Sequence, residues 1–388
     1  MTYEEPNDIV FARSPILYAV YDALYTNQDF QYTADVYIWQ GTGGGTKPAT
    51  PQYELAKYPE PNGTARFNVQ DLVKDYLRSR KYTFSTENDT YLMYVHVAVT
   101  LNYKYGTSTV GTPIVLSDAI ALDGYNYYLE GINYLPSTHL GNSSNSYWMT
   151  NRPLKMDIPT GTSMRMFLAK DSTAAVYQVV IDVNDGDFDL YIITSGLTNE
   201  IAAIKAGSTE IQQLATSGGY TDPITEYKIY GADSGGTAVT KVYEFTIEEP
   251  CKYGFKNLQF LNRYGVWDNL LVYGTKKESL DVKRTEVMTS PVDISTTPSM
   301  SLTEQQGQFR MANIHGRESM RVNTGWIDED YNEVIKQMML SEDLFDADTL
   351  QPYTIDTSSI NFKTSLNDKL INYTFNLKQA NTSINTLI

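Results

Sequence analysis

The sequence predicts a mainly β protein with a minor α component: two β-sandwich-like domains followed by a small α+β C-terminal domain. Three observations carry that expectation. Apolar and polar residues alternate with period two along many short runs, as half-buried strands require. Tyr is abundant, 31 residues against 13 Phe and 4 Trp, and Tyr suits a sheet because its ring packs while its hydroxyl stays hydrated. Gly and Pro clusters separate the runs at turn-like intervals. A chain of 388 residues exceeds one ordinary core, and the composition shifts place domains at 1–147, 148–275 and 276–388.

In chain order, Ser14–Tyr21 and Phe30–Trp39 read as strands. Gln40–Gln52 then contains GTGGGTKPATP, but a phosphate-binding loop needs Gly before its Lys and Ser or Thr after it. Thr46 precedes Lys47 and Pro48 follows, so the segment reads as a hairpin loop or a subunit-reaching arm. A helix is expected near 68–79, with Asn68 as cap and Phe67, Leu72, Val73, Tyr76 and Leu77 on one face. Tyr91–Tyr105 is a long alternating strand carrying His96. Thr112–Leu116 and Tyr125–Leu135 read as strands that close the first domain, and LGNSSNSY (Leu140–Tyr147) reads as a linker.

The second domain opens at Trp148 and continues through strands at Ser163–Ala169, Ala175–Val183 and Phe188–Thr194. Asp182, Asn184, Asp185, Asp187 and Asp189 have the look of a calcium loop, yet Gly186 falls out of the EF-hand register and strands flank the segment. Asp185-Gly186 suits a tight hairpin turn instead. Thr198–Thr216 has helical composition interrupted by Gly207 and reads as a helical excursion or an inserted arm, and Tyr227–Tyr230 and Lys241–Ile247 read as strands.

The segment Tyr253–Val287 organises the rest. Strand-like runs at Asn257–Leu261 and Asn269–Tyr273 flank an Arg263-Tyr264-Gly265 break, with Trp267 beside it. Trp267 reads as a core anchor and Arg263 as an interface contact. Tyr264, Trp326 and Trp148 complete the set of candidate interface or structural anchors. Further on, Ser290–Thr303 reads as a connection and Glu304–Thr324 as extended pieces. Asp328–Ser341 is the clearest helix, its stripe formed by Tyr331, Val334, Ile335, Met338 and Met339. Tyr353–Ile355 and Leu370–Leu377 close the C-terminal domain.

The formal charge of −16 repels phosphate, which argues against specific nucleic-acid binding. Cys251 is the one cysteine, so no intrachain disulfide forms and synthesis in a reducing host cytoplasm is expected. No run has the length of a membrane span, and MTYEEPND is unlike a secretory leader. The histidines His96, His139 and His315 lack neighbours at ligand spacing. No nucleophile, zinc or dinucleotide motif is present. The expectation is a non-enzymatic protein without cofactor, metal or catalytic residues.

Seven stretches together carry a resemblance: Arg13–Val20, Phe30–Ile38, Lys57–Asp71, Trp148–Pro153, Phe260–Asn269, Asn323–Tyr331 and Leu370–Lys378. They resemble structural virion proteins of tailed phages that infect Bacteroidetes, including the crAss-like phages. The resemblance implies a subunit of an oligomeric ring in the tail (tail hub, tail ring or collar), with no catalytic residues. Its implied partners are itself, as a hexamer or dodecamer, other tail or portal-proximal proteins, and genomic DNA that passes without specific binding. Acidic side chains facing the lumen would keep that DNA from adhering. The competing readings are a receptor- or carbohydrate-binding β-module and, behind it, a glycoside hydrolase built on a carboxylate pair.

Overall fold

The run Tyr94-Val95-His96-Val97-Ala98-Val99 is dense in β-branched and aromatic residues, which favour extended backbone. It opens the strand Tyr94–Tyr105. The computed structural model describes residues 1–40, 46–80, 93–106, 109–131, 134–141, 146–170, 176–184, 186, 188–193, 200–249, 254–273, 277–289, 292–293, 301–302, 307–364 and 371–382. Strands account for 48% and helices for 13%, so the fold is mainly β with a minor α component. Among the described residues no helix is long and apolar enough to cross a membrane.

Two compact units emerge. The first comprises Met1–Pro250, Gln259–Leu270 and Asp330–Glu342, and the second comprises Cys251–Leu258, Leu271–Glu329 and Asp343–Ile388. This differs from the expected division at 147/148 and 275/276. Residues just past the expected linker, Trp148 to Arg152, are buried or half-buried, and Trp148, Met149 and Thr150 bond to Thr240, Asn262 and Asp268.

In the first unit, an antiparallel sheet of Thr2–Glu4, Leu17–Tyr21 and Thr64–Asn68 shares its core with a larger sheet. The larger sheet runs in the order Ile9–Phe11, Ala119–Leu122, Tyr94–Tyr105, Gln31–Trp39, Tyr53–Lys57. Tyr18, Val20 and Phe67 from one sheet meet Val36, Val97 and Leu101 from the other in a single buried cluster. The helix Gln70–Arg80 adds Val73 and Leu77 to that cluster. Asn68 Oδ1 accepts from the Gln70 amide at 3.1 Å, satisfying a helix-start donor; Phe67 remains in the preceding strand. Residues 94–99 are buried on both faces rather than alternating. Trp39 covers the second face there, its ring stacked on His96 at 5.3 Å.

Two further sheets lie in the same unit. One orders Tyr147–Trp148, Arg165–Lys170 and Glu200–Lys205, and the other Lys155–Pro159, Tyr243–Glu248, Glu226–Ala232, Gln178–Val183 and Phe188–Ile193. Trp148 joins them: its ring meets Tyr243 edge-on at 6.4 Å and its indole N–H donates to Thr240 Oγ1 at 3.1 Å. Tyr227 adds a buried hydroxyl that donates to the Ala206 carbonyl.

Several expectations are corrected here. Thr198–Thr216 is not one helical segment: Glu200–Lys205 pairs antiparallel with Arg165–Lys170, and a helix begins only at Ser208. Sheet pairing uses Ile201, Ala202 and Ile204. Gly207 enforces the break, since a Cβ there would sit 2.3 Å from the Thr162 carbonyl oxygen. Among the described residues of Tyr125–Leu135 there is no strand but a 3-10 turn at Tyr128–Glu130, because Glu130 turns back to accept from the Tyr127 amide at 2.9 Å. The expected helix forms at Asn332–Met339 with Val334, Ile335 and Met338 buried, but it belongs to the first unit rather than to the C-terminal strands. Asp185 and Asp187 of the calcium-like cluster, and 41–45 of the Gln40–Gln52 arm, lie outside the described residues. Gln52, at the arm's end, folds back on its own strand by accepting from Ile38 N at 2.8 Å.

In the second unit the strands Leu344–Asp346, Pro352–Ile355, Thr374–Gln379, Phe309–Asn323 and Lys277–Met288 follow one another in one sheet. Phe375, Leu377, Val322, Leu344 and Tyr353 are its buried centre. Thr324 and Tyr373 exchange backbone and side-chain bonds at 2.9 Å that close one end.

Trp267 is buried, so Trp267→Ala is expected to lower the unfolding free energy by ~3–5 kcal/mol. Denaturant titration of the purified variant checks this, and an unchanged midpoint contradicts it.

Candidate interaction surface

Three of the stretches that carry the resemblance meet in the first unit. Asn262 accepts at Oδ1 from the Tyr264 amide at 2.9 Å and donates from Nδ2 to the Met149 carbonyl at 2.8 Å. Gly265 sits at φ +76°, and a Cβ there would come within 2.8 Å of the Asp123 and Gly124 amides. Only glycine allows that approach. Beside it the Tyr125 amide donates to the Arg263 carbonyl at 2.7 Å, and Arg13 Nε donates to Asp123 Oδ1 at 2.7 Å. The turn thus grips the 122–126 loop from one side while the Arg13 segment holds it from another.

Charge is handled pairwise inside this cluster. Arg152 Nε pairs with Asp268 Oδ1, and both side chains are almost wholly buried. Thr150 Oγ1 donates to Asp268 Oδ2 at 2.7 Å, and Arg152 Nη2 donates to Asn269 Oδ1 at 3.3 Å. Arg263 pairs with Glu130 and lies against the rings of Tyr127 and Tyr134, at 4.2 and 4.9 Å, a cation–π arrangement. Burial works against its charge, but the bond to Glu130 together with the electrostatic pull of Tyr264, Tyr134 and Glu130 outweighs it and raises the guanidinium pKa. Tyr127 donates to Glu333 Oε1 at 2.6 Å; burial and that bond both push its phenol upward. Gln337 donates to Asn151 Oδ1 at 2.7 Å, which also accepts from Tyr264 Oη.

Four of the five anchor residues predicted from sequence are therefore buried: Trp267, Tyr264, Trp148 and Arg263. Arg263 is a correction to the interface reading, because its charge is satisfied within the chain. Trp326 stands apart in the second unit and is 64% exposed. Sequence reasoning missed Arg152, Asp268 and Gln337. Their signal was the consecutive polar residues in Thr150-Asn151-Arg152 and Asp268-Asn269, which interrupt the period-two pattern. Such closed, paired charges hold backbone in place. Among the described residues no group of three or more His, Cys, Asp or Glu could hold a metal ion.

One exposed surface lies in the second unit. Lys277–Met288 pairs antiparallel with Phe309–Asn323 along almost its whole length, forming a ribbon ~40 Å long at about 3.4 Å per residue. Every residue of the first strand except Val282 is exposed. On the second strand, Thr374–Gln379 covers only Ser319–Asn323. Cross-strand pairing sets Met288 against Phe309 and Glu286 against Met311, and alternation puts Leu280 on that same face. Met288 and Phe309 are 76% and 57% exposed. The opposite face carries Lys277, Lys283, Arg310, Arg317 and Arg321. Register slips between Lys283 and Thr285 opposite Asn313, whose φ of +49° marks the bulge.

At the ribbon's base is a polar cleft of about 430 Å³, lined in part by Lys256, Glu278, Glu318 and Tyr353. Lys256 pairs with Asp346. Burial alone would raise the Asp346 pKa, but Lys256 and the amides of Asp348 and Thr349 outweigh it and hold the carboxyl below its ordinary value.

No protein-family model matches the chain, and no curated protein matches it.

Asp268→Ala leaves the Arg152 guanidinium buried without its counter-charge and is expected to cost ~3–5 kcal/mol, while Arg152→Met combined with Asp268→Leu recovers most of that loss. Unfolding curves of the single and double variants measure the difference. For Asp346, whose ordinary pKa is about 3.9, the pair's contribution is complete above that value and is lost as pH falls through the lower native one. Stability should thus decline in acid below about pH 4, and Asp346→Asn should flatten the decline in a pH series of melting temperatures.

Proposed function

We propose that this chain is a structural subunit of an oligomeric ring in the tail of a tailed-phage virion, a hub, tail ring or collar. In this reading it builds part of the DNA-ejection conduit and docks other tail proteins. The observation that carries the reading is the ribbon of Lys277–Met288 and Phe309–Asn323, which exposes both faces over much of its length. A two-stranded ribbon is marginal in water by itself. One that also presents Leu280, Met288, Phe309 and Met311 to solvent has the character of a surface made to be covered. The resemblance of Trp148–Pro153 and Phe260–Asn269 to virion proteins supports the same reading. In the first unit those stretches brace the fold, as a subunit that transmits force needs. The buried, paired state of the charges around Asp268 gives a structural role more support than a catalytic one.

Mass photometry of the purified chain, alone and with co-expressed tail proteins, tests the proposal. The expected result is a closed oligomer. Replacing Met288, Phe309 and Met311 by Ser should weaken assembly by about tenfold or more, given the apolar area involved, with the thermal transition of the monomer unchanged. A chain that stays monomeric in both settings contradicts the reading.

A further inference from the structure

We propose that the basic face of the Lys277–Met288 and Phe309–Asn323 ribbon is a sequence-neutral contact for the phosphate backbone of duplex DNA. Strand pairing builds this face, because its bases are scattered in sequence between residues 277 and 321. The antiparallel register sets Lys277 opposite Arg321, Asp281 opposite Arg317, Lys283 opposite His315 and Val287 opposite Arg310. Side chains alternate between the two faces of a strand, so these pairs share one face while Glu278, Glu286 and Glu318 fall on the other. The two strands hold six bases and four acids. Five of the bases and one of the acids lie on the first face, and Arg284 with three acids lies on the second.

The chain does not neutralise this face from within. Its acid Asp281 and the neighbouring Asp356 both pair with Lys378 of the adjoining strand, at 3.9 and 2.8 Å. Arg317 donates to the Gln379 carbonyl and to Thr354 Oγ1, neutral acceptors that leave its charge uncompensated. Lys277, Lys283, Arg310 and Arg321 are exposed, and none has a carboxylate partner among the described residues. Lys277 and Arg321 stand directly opposite each other. Like charges so placed are unfavourable, and a phosphate between them relieves the repulsion.

Length and shape select a duplex. From Lys277 to Val287, the partner of Arg310, the face runs ~34 Å at about 3.4 Å per residue. One turn of B-DNA is about 34–36 Å long, and its major groove, about 12 Å wide, admits a two-stranded ribbon. The hydroxyls of Ser279, Thr285 and Ser319 lie among the cations on the same face, and such hydroxyls join Lys and Arg as donors to phosphate oxygens. No Phe, Tyr or Trp is on this face, so it has no platform on which unpaired bases would stack. The overall charge of −16 does not cancel the contact, because screening limits electrostatic reach to about 8 Å at physiological salt. Phosphate contact without base readout gives dissociation constants of about 10⁻⁴–10⁻⁶ M, weak enough for a duplex to slide past. That property suits a subunit of a DNA conduit, yet the face is complete in one chain and its binding is measured without assembly.

Fluorescence anisotropy of a labelled mixed-sequence DNA duplex, titrated with the full chain, provides the test. Neutralisation of about four phosphates by the four exposed bases predicts a slope of about −3.6 in log affinity against log salt, so affinity should fall about 10²-fold between roughly 50 and 200 mM. The double variant Lys283→Gln, Arg310→Gln should bind at least tenfold more weakly and reduce the slope by about two. Arg284→Gln removes one charge from the same ribbon but from its other face, and should leave affinity and slope unchanged. All three substitutions are at exposed positions, and unchanged melting temperatures show that the fold is kept. Absence of duplex binding at the lower salt, or equal losses from Arg284→Gln and Lys283→Gln, overturns the proposal. Tighter binding of single-stranded DNA or of heparin at the same salt also overturns it, assigning the face to unpaired bases or to an anionic polysaccharide. A chain that assembles without binding duplex overturns this contact and leaves the ring reading intact. Duplex binding by a chain that never assembles keeps the contact and overturns the ring.

Discussion

Arg152 and Asp268 bring opposite charges to a place that water does not reach, and everything packed around them has to respect that. A buried ion pair gains little net stability over an apolar pair of the same shape, but breaking it is costly. It therefore acts mainly as a constraint on geometry. Thr150, Asn269 and Asn262 all orient toward it. The turn that carries Asp268 must arrive in one position, and Gly265 permits the backbone contact with Asp123 and Gly124 that this position requires. The first unit is consequently braced by matched polar groups as well as by its apolar cores.

The tyrosines take part in the same arrangement. A composition rich in Tyr suggests protein interfaces, yet many of these hydroxyls are used inside the chain. Tyr32 accepts from the Asp22 amide and donates to the Gly63 carbonyl, each at 2.7 Å. Tyr227 reaches Ala206, Tyr264 reaches Asn151, and Tyr127 reaches Glu333. Phe in these places would fill the same volume and leave a buried polar partner unsatisfied.

Local pattern made most strands legible from sequence. Phe30–Trp39, Ala175–Val183 and Asn269–Tyr273 show clear alternation or β-branched density, and strands form at Gln31–Trp39, Gln178–Val183 and Trp267–Tyr273. Glu200–Lys205 was misread because Ala, Glu and Lys favour helix locally, while its pairing with Arg165–Lys170 is a long-range fact. Trp267 was legible as a core residue, since a large ring beside a tight turn has few other uses. Arg263 was not legible as a buried cation, because its partner Glu130 lies 133 residues earlier. The ribbon escaped for the opposite reason. Its residues alternate like any half-buried strand, and sequence alone does not say that neither face is covered.

The first unit is also discontinuous along the chain: residues 259–270 and 330–342 complete a body begun at Met1. On a ribosome the chain emerges in order. When Pro250 appears, Arg152, Glu130 and Asn151 have yet to meet Asp268, Arg263 and Gln337. At ~5–20 residues per second, the missing helix follows roughly 5–20 s later. Until then the amino-terminal portion holds charged and amide groups without their native counterparts, and its final packing waits for residues 330–342. A chain ended before Gln337 would lack this bracing.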